Sequence, residues 1–337
     1  MINDTKPTTS PAILRFIFKN YLLIILFILI SFKVSIYLTI KNQNTKSTMN
    51  NSRKIQISNK KNVPAINSLK IGLYINNHSP ETYQSELETK VSILSWFRQW
   101  NNPLANNQLT NACNEGYVPL ITWESWNGIS SFNKNTNYYP LSDIASGKFD
   151  NYIKNNLKDI EKYCPNQTVI IRFDHEMDTP EGTISWYPWQ GNPKDYIAAW
   201  KHIVTISRNI NPNIKWLWSP NRGTANTALY YPGDNSVDYV GITLDHEIIE
   251  SYITSFAEFY NQNRTVIESF NKPVIISETT TEESIDGKSI WINDMFNYAK
   301  SNNHIVALDW YNGGPGDEDI NSSPTSLAAF KSNLQNL

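Results

Sequence analysis

The chain is poor in the residues that metal, redox and phosphate chemistry require. It has two cysteines and five histidines among 337 residues, and no Cys/His cluster falls at ligand spacing. No Gly-rich turn follows its first apolar run, Ile71-Gly-Leu-Tyr-Ile75. That disfavours an open dinucleotide-binding sheet, and no phosphate-binding loop occurs elsewhere. No cofactor and no metal are therefore expected. A surplus charge of one sign is missing too: the formal net charge of −2 offers no electrostatic footprint for nucleic acid.

Aromatic rings, by contrast, are plentiful, with 11 Trp and 18 Tyr. Many must fill a large core. Others suit a carbohydrate, because an aromatic face stacks on the apolar C–H face of a pyranose ring.

The first seventy residues read as separate from the globular part. Residues 1–11 form a tail. Residues 12–40 are interrupted only by Arg15, Lys19, Asn20, Lys33 and small hydroxyls. About twenty apolar residues cross a bilayer as a helix, and Lys33 can snorkel to the headgroups. No small-x-small cleavage pattern follows, so an uncleaved transmembrane signal anchor is expected. The flanking lysines and arginine favour a cytoplasmic N-terminus, which puts the remainder outside the cytoplasm. Residues 41–69, rich in Asn, Lys, Ser, Thr and Gln, read as a flexible linker.

From residue 70 onward short apolar runs alternate with stretches long enough for helices. The runs are Lys70–Ile75, Val91–Phe97, Val118–Trp123, Thr168–His175, Ile214–Trp218, Val237–Leu244, Pro273–Ser277 and Ile305–Trp310. Two helices stand out by their 3.6-residue spacing. Asp195–Ile210 turns Tyr196, Trp200, Ile203, Val204 and Ser207 inward, and Ser284–Lys300 turns Ile290, Trp291, Met295 and Tyr298 inward. This alternation predicts a single TIM-type (β/α)8 barrel over residues 70–337, with function at the C-terminal strand ends. Those ends carry Trp96, Trp123, Glu124, His175, Glu176, Trp218, Asp245, Glu278, Trp310 and Tyr311.

Two of these weigh most. Glu176 closes Thr168-Val-Ile-Ile-Arg-Phe-Asp-His-Glu176, and Glu278 closes Pro273-Val-Ile-Ile-Ser-Glu278. A carboxylate ending a buried strand costs free energy to desolvate, and two facing one another are the minimal equipment for hydrolysing a glycosidic bond. Glu124, Asp174, Asp178, Glu181, Asp245, Glu282 and Asp309 are rival acids near other strand ends. Alternation puts Arg172, Asp174 and Glu176 on one face. Arg172 therefore either serves an ionised carboxylate of the site or pairs with Asp174.

Six blocks, in order, resemble glycoside hydrolase family 26, best known for β-mannanases. They are Arg172-Phe-Asp-His-Glu-Met-Asp178, Trp186-Tyr-Pro-Trp189, Asp195-Tyr-Ile-Ala-Ala-Trp-Lys-His202 and Trp216-Leu-Trp-Ser-Pro-Asn221, then Tyr231-Pro-Gly-Asp234 with Val237-Asp-Tyr-Val-Gly-Ile242, and Lys272-Pro-Val-Ile-Ile-Ser-Glu278. The resemblance implies a barrel of the large retaining clan and a β-linked polysaccharide as substrate, with endo-1,4-β-mannanase activity in first place. It implies Glu176 as acid/base, Glu278 as nucleophile, His175 as a sugar contact and Trp310 as the aromatic floor under the attacked sugar. Arg172, Trp123 and the loop residues Trp186 and Trp189 are expected to contact substrate as well.

The chain also departs from the family. Where a tyrosine usually lies near the nucleophile it reads Thr243-Leu-Asp-His246, and Asp178 stands where Asn is common. The first difference leaves the sugar open. A β-glucanase, a β-1,3-xylanase and a weakly catalytic protein that binds polysaccharide during export are the other readings. Cys113 and Cys164 both precede a strand, at the N-terminal face of the expected barrel. Either they meet in a disulfide or they are two small buried residues that do not.

Overall fold

The computed structural model describes residues 68–75, 80–128, 139–178, 187–224, 226–246, 255–283, 287–313 and 318–337, all within one compact unit, Val63–Leu337. The expected membrane anchor at 12–40, and the linker up to residue 67, lie outside the described residues. Among those that are described, no helix is long and apolar enough to cross a membrane.

Eight parallel strands close into a barrel in chain order. They are β1 (Lys70–Tyr74), β2 (Ile93–Gln99), β3 (Val118–Glu124), β4 (Val169–Phe173), β5 (Ile214–Trp218), β6 (Tyr239–His246), β7 (Val274–Thr281) and β8 (Ile305–Trp310). Around them run α1 (Pro80–Leu87), α2 (Asn107–Asn114), α3 (Leu141–Ala145), α4 (Asp150–Tyr163), α5 (Pro193–Ile210), α6 (Phe256–Glu268), α7 (Lys288–Ser301) and α8 (Pro324–Gln335). Between β5 and β6 the described residues hold only two 3-10 turns, Thr227–Tyr230 and Asp234–Ser236. The expected TIM-type architecture is therefore present, with one connection reduced to turns.

The strands differ from the sequence reading mostly at their ends. β4 stops at Phe173, two residues early, whereas β7 continues through Thr281. Helix α5 begins at Pro193 rather than Asp195, because the Asn192 side chain accepts from the Asp195 N–H and proline suits a first helical position. Helix α7 corrects one expectation. Trp291 and Met295 are buried, but Ile290 is 71% exposed, since Lys288, Ile292, Phe296 and Ala299 complete the inward stripe instead. Lys288 tolerates that place by hydrogen-bonding the Asp319 carbonyl and the Ser322 hydroxyl.

Two apolar layers hold the barrel. Its interior is plugged by Ile93, Leu120, Ile170, Leu217, Ile275, Val306 and Ala307. The larger layer, between strands and helices, takes most of the big rings, Trp100, Trp123, Trp200, Trp216 and Trp310 among them. Each fully buried aliphatic side chain contributes about 1.5–3 kcal/mol, so this end of the barrel is a rigid base for the opposite rim.

Cys113, in α2, and Cys164, capping α4, form a disulfide with their Cα atoms 5.6 Å apart and a separation of 51 positions in sequence. A loop of that length restricts the unfolded chain by about 2–4 kcal/mol. The double variant Cys113→Ala/Cys164→Ala should therefore unfold at lower urea concentration than the oxidised protein. Coincident unfolding curves would show that the bridge contributes nothing.

Candidate active site

The strand that carries Arg172 ends just beyond it. After Phe173 the backbone enters the left-handed region twice, at Asp174 (φ 41°) and Glu176 (φ 54°). Positive φ is costly for residues other than glycine, and here hydrogen bonds hold the turn. The Asp174 carboxylate accepts from the Ser125 N–H and hydroxyl, each at 2.7 Å, and the Glu176 N–H donates to the Ser219 carbonyl at 2.8 Å. Asp174 is thus a fastener between strand ends, and the alternative pairing of Arg172 with Asp174 does not occur.

Glu278 reaches the same rim by another route. Along β6 and β7, Ile242 pairs with Ile276 but Thr243 pairs with Glu278, so β7 carries one extra residue. Such a bulge resets the alternation. Ser277 points into the barrel, bonding the Ser219 hydroxyl at 2.7 Å, and Glu278 faces the pocket directly above it. Gly241 makes the room: a Cβ there would lie 2.8 Å from Ser219 Cβ and 2.9 Å from Ser277 Oγ.

These turns bring the two glutamates together. One side-chain ligand atom from each of His175, Glu176 and Glu278 lies within 4.8 Å of the others. Arg172, 1% exposed, pairs through Nη1 with Glu278 Oε1. Its Nη2 donates to Thr243 Oγ1 at 3.2 Å, and Thr243 Oγ1 donates to Glu176 Oε1 at 2.7 Å. The Asn221 side chain also hydrogen-bonds Glu176. Burial, then the charge of Glu278, push the Glu176 carboxyl up to about 7 against the pull of Arg172, Thr243 and Asn221. The pair therefore holds one carboxyl that titrates near neutrality, Glu176, beside one paired with a guanidinium, Glu278.

Other acids surround the pair without joining it. Burial raises Glu124, at the end of β3, to about 7; Gln99 donates to it at 2.7 Å. Burial, with the charge of Glu278 adding, raises Asp309 inside the barrel to about 8. Asp178 accepts from the Asn221 N–H at 2.8 Å and from the Thr227 hydroxyl, fastening the segment after β5. Of the remaining rivals, Glu181 lies outside the described residues.

The expected aromatic contacts divide. His175 is buried beside the pair, its Nε2 3.1 Å from the Tyr187 hydroxyl; burial, with the Arg172 charge adding, holds its imidazole well below the usual value, hence neutral. Trp189 is fully buried. It donates to the His175 carbonyl at 2.7 Å and stacks on Tyr187 with centroids 4.6 Å apart, so it supports the histidine rather than offering a face. Trp123 does not reach the pocket. It pairs in register with Phe173 and packs against Trp100 at 5.1 Å, because alternation turns its neighbours Thr122 and Glu124 inward instead. Trp310 is likewise turned outward, beside Leu73 in register; it packs on Phe330 at 5.9 Å and donates to the Glu318 carbonyl. Trp186 lies outside the described residues.

What the sequence reading missed is Tyr74 and Phe97, which together with the strand-end Tyr311 replace Trp123 and Trp310. Tyr311, one residue past Trp310, stacks on Tyr74 with centroids 4.7 Å apart. Phe97 lies 5.4 Å from Tyr74 and 5.5 Å from His175. Together they form an aromatic wall beside Glu278. The signal was parity: Tyr311 shares the inward phase of Ala307 and Asp309, and Trp310 does not.

Against known proteins, the family model for glycosyl hydrolase family 26 matches residues 99–312. The chain belongs to this family. Endoglucanase H of Acetivibrio thermocellus is 30% identical over 288 residues, covering 78% of this chain and 30% of that protein. Mannan endo-1,4-beta-mannosidase A and B of Caldalkalibacillus mannanilyticus is 28% identical over 138 residues, covering 37% of this chain and 24% of that protein. The chain thus spans less than a third of either curated relative's length. Among solved structures, a Bacillus subtilis mannanase shares the fold at a TM-score of 0.57 and 16% identity, with 79% of this chain and 85% of that one aligned. The matched residues fall within the barrel whose strands run from Lys70 to Trp310.

Proposed function

We propose that this family 26 protein hydrolyses internal bonds of a β-linked polysaccharide with retention of configuration, Glu176 acting as acid/base and Glu278 as nucleophile. The carrying observation is that oxygens of the two carboxyl groups lie within 4.8 Å. Retaining glycosidases hold theirs about 5–5.5 Å apart, and inverting ones about 6.5–9.5 Å. Glu176, protonated near neutrality, donates to the leaving oxygen while Glu278 attacks the anomeric carbon to form a glycosyl ester. Esterification removes the charge of Glu278, and with it the repulsion that raised Glu176. Glu176 then stays ionised and takes the proton of the attacking water.

A mannan backbone is the first substrate proposed, in line with the mannanase names among its relatives. A β-glucan is the second, favoured because the relative aligned over 78% of the chain is named an endoglucanase. Membrane anchoring through residues 12–40, with the barrel outside the cytoplasm, remains part of the proposal. The Cys113–Cys164 disulfide suits such an oxidising location.

Purified full-length protein, incubated with mannan, glucomannan, mixed-linkage β-glucan and β-1,3-xylan, should release new reducing ends from at least one of them. The first anomer seen by proton NMR should be β. An α-anomer first would overturn retention. Binding without any new reducing ends would favour the export-accessory reading.

A further inference from the structure

Thr243 stands where the family resemblance leads one to expect a tyrosine near the nucleophile, and its hydroxyl serves the other glutamate. We propose that Thr243 is a positioning residue for Glu176, holding the acid/base by a hydrogen bond that favours its ionised form. The inference rests on the roles proposed above for the two glutamates.

The hydrogen-bond directions are fixed by chemistry. A guanidinium has donors only, so Thr243 Oγ1 accepts from Arg172 Nη2, at 3.2 Å. Its single proton then goes to the acceptor it meets, Glu176 Oε1 at 2.7 Å. Thr243 faces Glu278 in the β6–β7 register, immediately after the bulge, so the backbone and not the side chain alone fixes its place. Arg172 polarises the hydroxyl from behind while pairing with Glu278. One guanidinium therefore serves both carboxyl groups, one directly and one through threonine.

A donor to the charged form lowers a carboxyl pKa. This one opposes two effects that raise it, burial and the nearby Glu278 charge. Besides Glu278, the ionisable groups facing Glu176 are Arg172 on β4, the adjacent His175, Asp245 at the end of β6 and Tyr187 after β4. Substituting Thr243 removes none of them, though Arg172 Nη2 loses the hydroxyl as its acceptor. The hydrogen bond matters most in the second half of the reaction, when Glu176 is a carboxylate and must take a proton from water.

The test is the alkaline limb of kcat/KM on the polymer, which reports loss of the acid proton in free enzyme. In Thr243→Val, close to isosteric, the limb should move up by about one pH unit, the scale of a hydrogen bond to a charged group. Thr243→Ser should return it to the wild-type position. A purely structural role would lower activity or melting temperature without moving the limb. The same titration can be read without turnover, from the Glu176 carboxyl carbon of 13C-glutamate-labelled full-length protein, assigned by its absence in Glu176→Gln. Thr243→Ala replaces the valine variant if the latter does not fold. An unmoved limb and unmoved carbon titration in the folded variant overturn the inference. Absence of hydrolysis by wild type overturns the functional reading instead, and the carbon titration then decides by itself whether Thr243 tunes Glu176.

Discussion

Glu278→Ala should bring hydrolysis of the polymer below detection, and added azide should restore turnover as a glycosyl azide of inverted configuration. Removing the carboxylate vacates the face from which the anomeric carbon is attacked. It also leaves Arg172, 1% exposed, without its direct partner. A buried charge stripped of its partner typically costs about 3–5 kcal/mol; Glu176, reached through Thr243, takes up part of that. The bared guanidinium then favours a small anion at the nucleophile's position, which is where azide must sit to react. Product analysis by NMR decides the matter. Wild-type-like activity in the variant, or azide product of retained configuration, would remove Glu278 from the nucleophile's role.

Glu176→Ala should respond in the opposite sense. On the polymer its activity should fall by about 10²–10⁴-fold, the usual contribution of a positioned proton donor. On an aryl glycoside with a good leaving group the first step needs no acid, so the glycosyl ester should form and accumulate. Azide now enters from the vacated acid side and should give product of retained configuration. A burst of aryl release followed by slow turnover is the kinetic signature. Equal losses on polymer and aryl substrate would argue that Glu176 acts in some other way.

The barrel and the glutamate pair were readable because both follow from short-range rules. Apolar runs such as Val118–Trp123 and Ile305–Trp310 announce buried strands, and carboxylates closing such runs announce a pocket. Which side chain faces that pocket was less readable. Trp123 and Trp310 sit at strand ends, yet strand parity sends them to the helices, while Tyr311 and Tyr74 take the rim. Beneath the two glutamates parity itself breaks, at the left-handed turns around Asp174 and Glu176 and at the bulge between Ile276 and Glu278. Both breaks depend on partners far along the chain, the Ser219 carbonyl for one and the β6 ladder for the other. No local pattern contains them. Ile290 failed for a simpler reason: Lys288, which was not counted in the inward stripe, is held inside by its own hydrogen bonds.

The length of β7 bears on how this barrel can be remodelled. Glu278 is not on a loop. Three further residues, Thr279, Thr280 and Thr281, continue the ladder with Leu244, Asp245 and His246 beyond it. A segment transplanted from another barrel after residue 281 would therefore join the scaffold about 10 Å of extended chain away from Glu278, at roughly 3.3 Å per residue. Glu176 has no such margin, because its own backbone is the turn. Swapping sequence after β7 thus leaves Glu278 anchored in the ladder, whereas the same exchange after β4 dismantles the turn that carries Glu176.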